Sequence, residues 1–433
     1  MRRIAAGVPA IATLLAAVGV VGAGPASAVV LGCGSTITQT TKLTANVGPC
    51  TTPGQDGITI AANGITLNLN GFSVIGNLAV IPPPPGGTAG TTRVSTEGIG
   101  IRFARTVGST VTNGGVSGFQ AGVLVDGGSA NVVKKVNAHN NVGTNNSDYG
   151  DGITLDGATT NNQIQSNHVS ANGPYSGISM LFKANNNLVS GNSIDANNIA
   201  TVSDTTGLNV DQVDMGIRVE GPSAQNNNVT NNTVTGSGAQ GIMVLPVCHD
   251  AFAPTPTCAG DKPNSPTLIS GNKVNANGFA RGGAGGIALF GMGLSIAGQP
   301  TKNTVINNTI NGNAGDGIRL QSNGGACVGG APATQCAPFN NKVSNNTASQ
   351  NQGNGILLQV GSHDNVVGQN TLTYNNIDGI NVASGAVNNT LRANIGNHNV
   401  VFDGFDGNTA PPCDANVWDS NVFNTVNQPC VAA

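Results

Sequence analysis

Arg102, Asp126, Asp156, Arg218 and Glu220 are the residues whose types and spacing point to chemistry. Charged side chains make up only 9% of the 433 residues, so five that fall beside one another in a repeating pattern stand out. Asp126 and Asp156 are expected on adjacent rungs of a parallel sheet, about 4.8 Å apart at the backbone. That is close enough to raise one pKa or to share a calcium ion, the one cofactor the chain suggests. Asp156 and Glu220, two rungs apart at about 9.6 Å, approach the carboxylate separation of inverting glycoside hydrolysis. Arg218 and Arg102 could neutralise the carboxylate of an acidic sugar, and an activated Arg218 could take a proton. A plainer reading stands beside this one. Asp126, Asp156 and Glu220 are each followed by Gly, and Asp-Gly is an ordinary turn signal.

What would position these residues is a repeat. Gly355-Ile356-Leu357-Leu358 is followed by Asn365-Val-Val367 and Asn370-Thr-Leu372, and at Gly379-Ile380-Asn381-Val382 the pattern starts again, 24 residues on. Alternation inside each piece predicts short strands, and the fixed long period predicts a solenoid. The strand-opening glycines read as Gly98, Gly122, Gly152, Gly177, Gly216, Gly241, Gly286, Gly317, Gly355 and Gly379. The Asn segments answer them at Asn131, Asn162, Asn187, Asn227, Thr267, Asn303, Asn341, Asn365 and Asn389, and a second Asn follows each five residues later except at Val136. Asn tolerates the left-handed conformation of a tight turn, and stacked amides can hydrogen-bond as a ladder. A single strand cannot bury its apolar face, whereas stacked coils bury it continuously. The expected fold is all-β: a right-handed parallel β-helix of about a dozen coils, forming one domain over residues 29–433.

Counting each Gly as zero, positions 2 and 4 point outward. Position 4 gives Arg102, Asp126, Asp156 and Glu220; position 2 gives Thr154, Ser179, Arg218 and Arg319. Insertions around the Gly strands, ahead of Gly152, Gly216 and, with fewer residues, Gly286, and after Gly241, Gly286 and Gly317, predict loops that wall this sheet into a groove. Thr154, Ser179, Arg102, Arg319 and Asp214, the last in the loop ahead of Gly216, are the expected substrate contacts. Asp56, Asp151, Asp316 and Asp378 precede a strand Gly and are read as organising the turn into the strand.

Composition narrows the function classes. A net charge of -3 gives no basic stripe for nucleic acid and no attraction to an anionic membrane surface. Met1-Arg2-Arg3, the apolar run from Ile4 to Ala23 and Ala26-Ser27-Ala28 read as a signal peptide over residues 1–28, so the protein is expected to be secreted. No later run approaches the roughly 20 apolar residues of a membrane span. Eight cysteines in an exported chain read as disulfides. Among many connectivities the simplest is local: Cys33 with Cys50, Cys248 with Cys258, Cys327 with Cys336 and Cys413 with Cys430, the first and last stapling the two ends.

The Asn segments, the Gly-Ile strands and the opening Cys33-Gly34, Leu43-Thr44, Cys50, Gly57-Ile58 and Leu67-Asn68-Leu69-Asn70-Gly71-Phe72 resemble the secreted right-handed parallel β-helix repeat proteins of the pectate-lyase-like superfamily. The resemblance covers nearly all of residues 33–430. It implies an Asn ladder and a groove-forming sheet, and it implies carbohydrate as the partner class. Asn68 and Phe72 stand where relatives often carry Asp and His. The hydrolases' Asn-Thr-Asp, Gly-His-Gly and Arg-Ile-Lys motifs are missing, as is the epimerases' Asp-Pro-His, so activity rests on the site itself. The expectation is a secreted protein that binds extracellular acidic polysaccharide along the groove. Asp126, Asp156, Arg218 and Glu220 would carry any cleavage, by lyase or glycoside hydrolase chemistry. The alternative is a non-catalytic cell-surface, adhesion or structural β-helix protein.

Overall fold

The computed structural model describes residues 27–81, 92–94, 97–143, 149–197, 215–221, 224–245, 266–278, 294–297, 301–321, 337–408 and 415–432. Nearly every element among them is a short parallel strand. The Gly-Ile strands stack into a thirteen-stranded parallel sheet, called the floor sheet below. The remaining parallel strands form two further rows, joined into one 25-stranded sheet because Thr110–Ser117 and Val132–His139 run through a corner and belong to both. Each coil therefore has three faces and three corners.

Alternation within strands of three residues explains the core. In Ile356–Leu358 and Ile380–Val382 the outer two residues are buried and the middle one faces out. Ile101, Val123, Ile153, Ile178, Ile217, Ile242, Ile318, Ile356 and Ile380 follow one another down the inside of the floor sheet, all fully buried. One coil buries too little apolar surface to fold alone, and the stack makes the core continuous.

The corners carry the Asn ladders, with two differences from expectation. The left-handed residue is the one before each ladder Asn: Asn161 (φ 56°), Ser166 (φ 53°) and Ala171 (φ 53°) precede Asn162, Asn167 and Asn172. That residue turns the chain and leaves the next Asn extended, its amide turned inward. There are also three ladders, one per corner. The third runs through Asn172, Asn277, Asn313, Asn351, Asn375 and Asn399, another five residues beyond the second. Asn370 shows why a buried amide is tolerated. Its Oδ1 accepts from the Asn346 backbone N–H (3.0 Å) and Nδ2 (3.0 Å), while its Nδ2 donates to Asn394 Oδ1 (2.9 Å) and Val343 O (3.1 Å). Every group finds a partner, which burial requires. Thr267, lacking the amide, is buried with its Oγ1 unpaired.

The third ladder explains the strand glycine. A Cβ on Gly355 would stand 2.6 Å from Gly379 O and 2.8 Å from Asn375 Nδ2. The ladder amide occupies the space a side chain would need.

Register corrects two strand assignments. Arg102 pairs with Leu124, not with Asp126, which lies opposite Ala104. The glycine equivalent to Gly122 is therefore Gly100 rather than Gly98, because Gly98-Ile-Gly-Ile offers the motif twice. Similarly, the strand between Ile242–Leu245 and Ile318–Gln321 is Leu294–Ala297, not one opening at Gly286. Gly293 restores the ten-residue spacing to Asn303.

At the start, Ser27–Val29 pairs with Thr41–Leu43 and Cys33 is joined to Cys50. At the other end Trp418 packs edge-on against Phe423 and donates its indole N–H to Asp406 (2.9 Å). Cys430 is disulfide-bonded; Cys248, Cys258, Cys327, Cys336 and Cys413 lie outside the described residues, as do residues 1–26 of the expected signal peptide. No helix among the described residues is long and apolar enough to cross a membrane.

Candidate functional site

The outward column of the floor sheet reads, rung by rung, Arg102, Leu124, Thr154, Ser179, Arg218 and Met243, and beyond the strand Leu294–Ala297 it continues with Arg319, Leu357, Asn381 and Phe405. Arg102, expected two places further along the strand, thus shares a column with Thr154, Ser179, Arg218 and Arg319. Asp126 and Asp156 do sit opposite one another on adjacent strands. Asp156 and Glu220 flank Leu181, so they are two rungs apart as expected.

The carboxylates are already engaged. Arg102 lies between Asp56 (Nε to Oδ2, 2.7 Å) and Asp126 (Nη1 to Oδ2, 3.1 Å). Asp156 accepts from the Tyr149 hydroxyl (2.7 Å) and from the Gly157 N–H (2.6 Å). Gly127, Gly157 and Gly221, which follow the three acids, all have positive φ (69°, 70° and 88°), so the Asp-Gly turn reading describes the geometry here. A calcium ion shared by Asp126 and Asp156 does not fit this arrangement. Asp126 faces a guanidinium, and no three His, Cys, Asp or Glu side chains among the described residues converge as metal ligands.

The centre lies two to three rungs further on. Arg218 is 7% exposed and pairs with Glu220 (Nη1 to Oε2, 2.7 Å). Its guanidinium carbon stands 5.1 Å from the centroid of the Tyr175 ring, within cation–π range. Its Nε is buried without a hydrogen-bond partner, and so is the Ser176 Oγ on the adjacent rung, nearer the start of the strand. Unsatisfied donors in a dry site are costly, and here two lie on the same part of the floor. Thr154 and Ser179 are fully buried although they face outward, so the floor is covered at these two residues, while Arg218 and Glu220 beside them keep a small exposed surface. Leu357, Asn381 and Phe405, further along, are partly exposed.

Sequence reasoning missed Asp151 as a floor residue. It is fully buried, opposite Ser176, and accepts hydrogen bonds from Ser179 Oγ (2.6 Å) and Thr154 Oγ1 (3.3 Å). Burial pushes its pKa up, against the opposing pull of Arg218's charge and of the hydrogen bonds from Ser179, Gly150 and Thr154. The available signal was the place before the strand Gly, where Asp316 and Asp378 also meet the outward column, through Arg319 and Asn381. Tyr149 and Tyr175, which reach the floor from the turns ahead of their strands, carried no periodic signal. Asp214 and most of the expected wall loops (residues 144–148, 198–214, 246–265 and 322–336) lie outside the described residues.

Residues 215–395 match the family described as right handed beta helix region. No curated protein matches the sequence. Among solved structures the chain is similar to the Dettilon tailspike protein gp208, at 15% identity and a TM-score of 0.49 over 93% of this chain; it spans 60% of that longer chain. It is similar to the A-module of the Azotobacter vinelandii mannuronan C-5 epimerase AlgE4, at 14% identity and a TM-score of 0.48, covering 93% of this chain and 91% of that one. For the DFA-IIIase of Arthrobacter chlorophenolicus A6 without its lid, the values are 15% identity, a TM-score of 0.44, and 81% and 70% coverage. Thirteen parallel rungs on one face, laddered corners and the match over residues 215–395 give this chain the fold of a right-handed parallel β-helix.

Proposed function

We propose that the protein is exported and binds extracellular acidic polysaccharide along the floor sheet, with Arg218 as the residue that receives a sugar carboxylate. The observation that carries this reading is the Arg218 guanidinium: nine-tenths buried, seated on Tyr175, with an unused N–H on Nε. A planar guanidinium with a free donor suits the carboxylate of an acidic sugar. Thr154, Ser179 and Ser176 add hydroxyls on the same floor, and Asn381 and Arg319 continue it along the rod.

Binding without cleavage is the second reading, and a specific observation favours it. Asp126, Asp156 and Glu220 each hold a protein partner, which leaves none of them positioned as a free acid or base. The deciding experiment incubates the purified mature protein with polygalacturonate, alginate, hyaluronan and neutral glycans, with and without calcium. Ultraviolet absorbance of unsaturated uronates, reducing ends and retention on immobilised polymer are followed together. Retention of the uronates over neutral glycans is expected. New absorbance would establish a lyase, and reducing ends alone a hydrolase. Equal or no retention of all the polymers would end the acidic-polysaccharide reading.

A further inference from the structure

We infer that Asp151 is a positioning residue for Arg218: a buried carboxyl that fixes the Thr154 and Ser179 hydroxyls and sets, by gaining or losing one proton, how strongly Arg218 holds an anionic sugar. This rests on the groove reading above and names the regulation of that same site.

The geometry comes from comparing equivalent places. Asp316 and Asp378 occupy the position before a strand Gly, as Asp151 does. Asp316 meets a cation on its own strand, Arg319 Nε at 2.6 Å, and Asp378 meets the Asn381 amide at 2.7 Å. Asp151 meets two hydroxyls instead: Thr154 on its own strand and Ser179 on the next. Ser179 in turn stands beside Arg218 in the outward column. Asp151 therefore reaches Arg218 through a rung of hydroxyl, with no hydrogen bond between the two charged groups among the described contacts.

The charge count follows. Among described residues, the other ionisable side chains on and around this part of the floor are accounted for. On the preceding strand Asp126 is paired with Arg102, and on its own strand Asp156 is held by Tyr149. Two strands on, Glu220 pairs with Arg218, and Tyr175 lies under the guanidinium. With Asp151 protonated, Arg218 and Glu220 sum to zero. Ionising Asp151 adds one negative charge beside Arg218, on top of that of Asp156 on the same strand, in a site shielded from water, where charge is poorly screened. An incoming carboxylate is then repelled. Burial favours the protonated form, so the exchange is displaced toward neutral pH from the ordinary carboxylate range.

The test uses the full mature chain with polygalacturonate and polymannuronate as probes, titrated calorimetrically from acid to alkaline pH. Wild-type affinity is expected to fall, on the order of tenfold, as pH rises through the Asp151 titration. Asp151→Asn, which imitates the neutral acid, is expected to hold the acid-side affinity across the range. A variant that folds and keeps the wild-type pH slope overturns the proposal. If Asp151→Asn fails to fold, carboxyl carbon NMR of the wild type decides. Linkage requires the Asp151 titration to move up when polygalacturonate is bound, and an unmoved titration overturns the proposal. Failure of either polymer to bind at any pH ends the groove reading itself, and with it this one. Binding that ignores Asp151 ends this one alone.

Discussion

Arg218 and Arg319 occupy the same outward column of the same sheet, and they are not doing the same thing. Arg319 is closed off by its own strand. Its Nε and Nη2 both address Asp316 Oδ2, and Asp316 Oδ1 is further held by the Asn354 backbone N–H (2.7 Å) and Nδ2 (2.8 Å). In the coil of Arg218 the residue before the strand Gly is Met215, which offers no acceptor. Arg218 pairs forward instead, with Glu220, and keeps one donor idle. A guanidinium tied to an acid three residues upstream is part of the frame; one with a buried donor left unpaired is poised for a ligand. The difference lies in one residue, three places upstream.

The largest effect should therefore come from the frame. Arg319→Met leaves Asp316 buried without its cation and is expected to cost roughly 3–5 kcal/mol in urea denaturation while polyuronate retention persists. Arg218→Met is expected to reverse the pattern. Retention of polygalacturonate falls at least on the order of tenfold, and the stability loss is smaller, about 1–2 kcal/mol, because an unsatisfied donor is removed with the charge. Equal destabilisation by both variants with equal retention would collapse the distinction.

Met215→Asp sharpens it. That substitution gives Arg218 the upstream acid that Arg319 has, so it should occupy the free Nε and weaken retention, with Arg218 itself untouched. Retention at the wild-type level would show that the idle donor is not what recognises ligand.

Smaller effects follow from proton and metal linkage. Asp151's folded pKa is raised above the unfolded value, so the folded state binds the proton more tightly. Its stabilising contribution is complete below the unfolded value, near 3.9, and is lost as pH rises through the folded pKa. Asp151→Asn should thus raise the melting temperature relative to wild type on the alkaline side and leave the acid side little changed. A chelator should alter neither retention nor melting, since Asp126 faces Arg102 rather than a vacant coordination place. A fall in either on chelation would restore the shared calcium ion.

Much of this was legible in the sequence, and what was not has physical reasons. The 24-residue period and the Gly-Ile alternation define the coil, because inward Ile and outward polar residues leave no other way to bury the apolar face. Two ladders were visible, and the third lay at the same five-residue step, from Asn370 to Asn375. Register failed where the motif occurs twice within reach, at Gly98 and Gly100 and at Gly286 and Gly293. There the pairing of whole strands, which no local pattern encodes, chose between them. The site was half visible. Charge at outward positions located Arg218, Glu220, Asp126 and Asp156, but whether an outward face is open depends on what lies over it. Asp151 looked like a turn residue because its surroundings come from Ser176 and Ser179 on the next rung as much as from Thr154 on its own.

The ladders have one more consequence. At each corner the amide of one coil offers to its neighbours the same groups as the amide of the next. From Asn341 through Asn365 to Asn389 the steps are of 24 residues. A coil is therefore an interchangeable cassette. Excising residues 365–388 would bring Asn389 under Asn341 with the same donors facing the same acceptors, and would shorten the rod by about 4.8 Å. Length is then a free variable of this architecture: the span it offers a polymer can lengthen or shrink in whole rungs, while the chemistry of each remaining rung stays as it was.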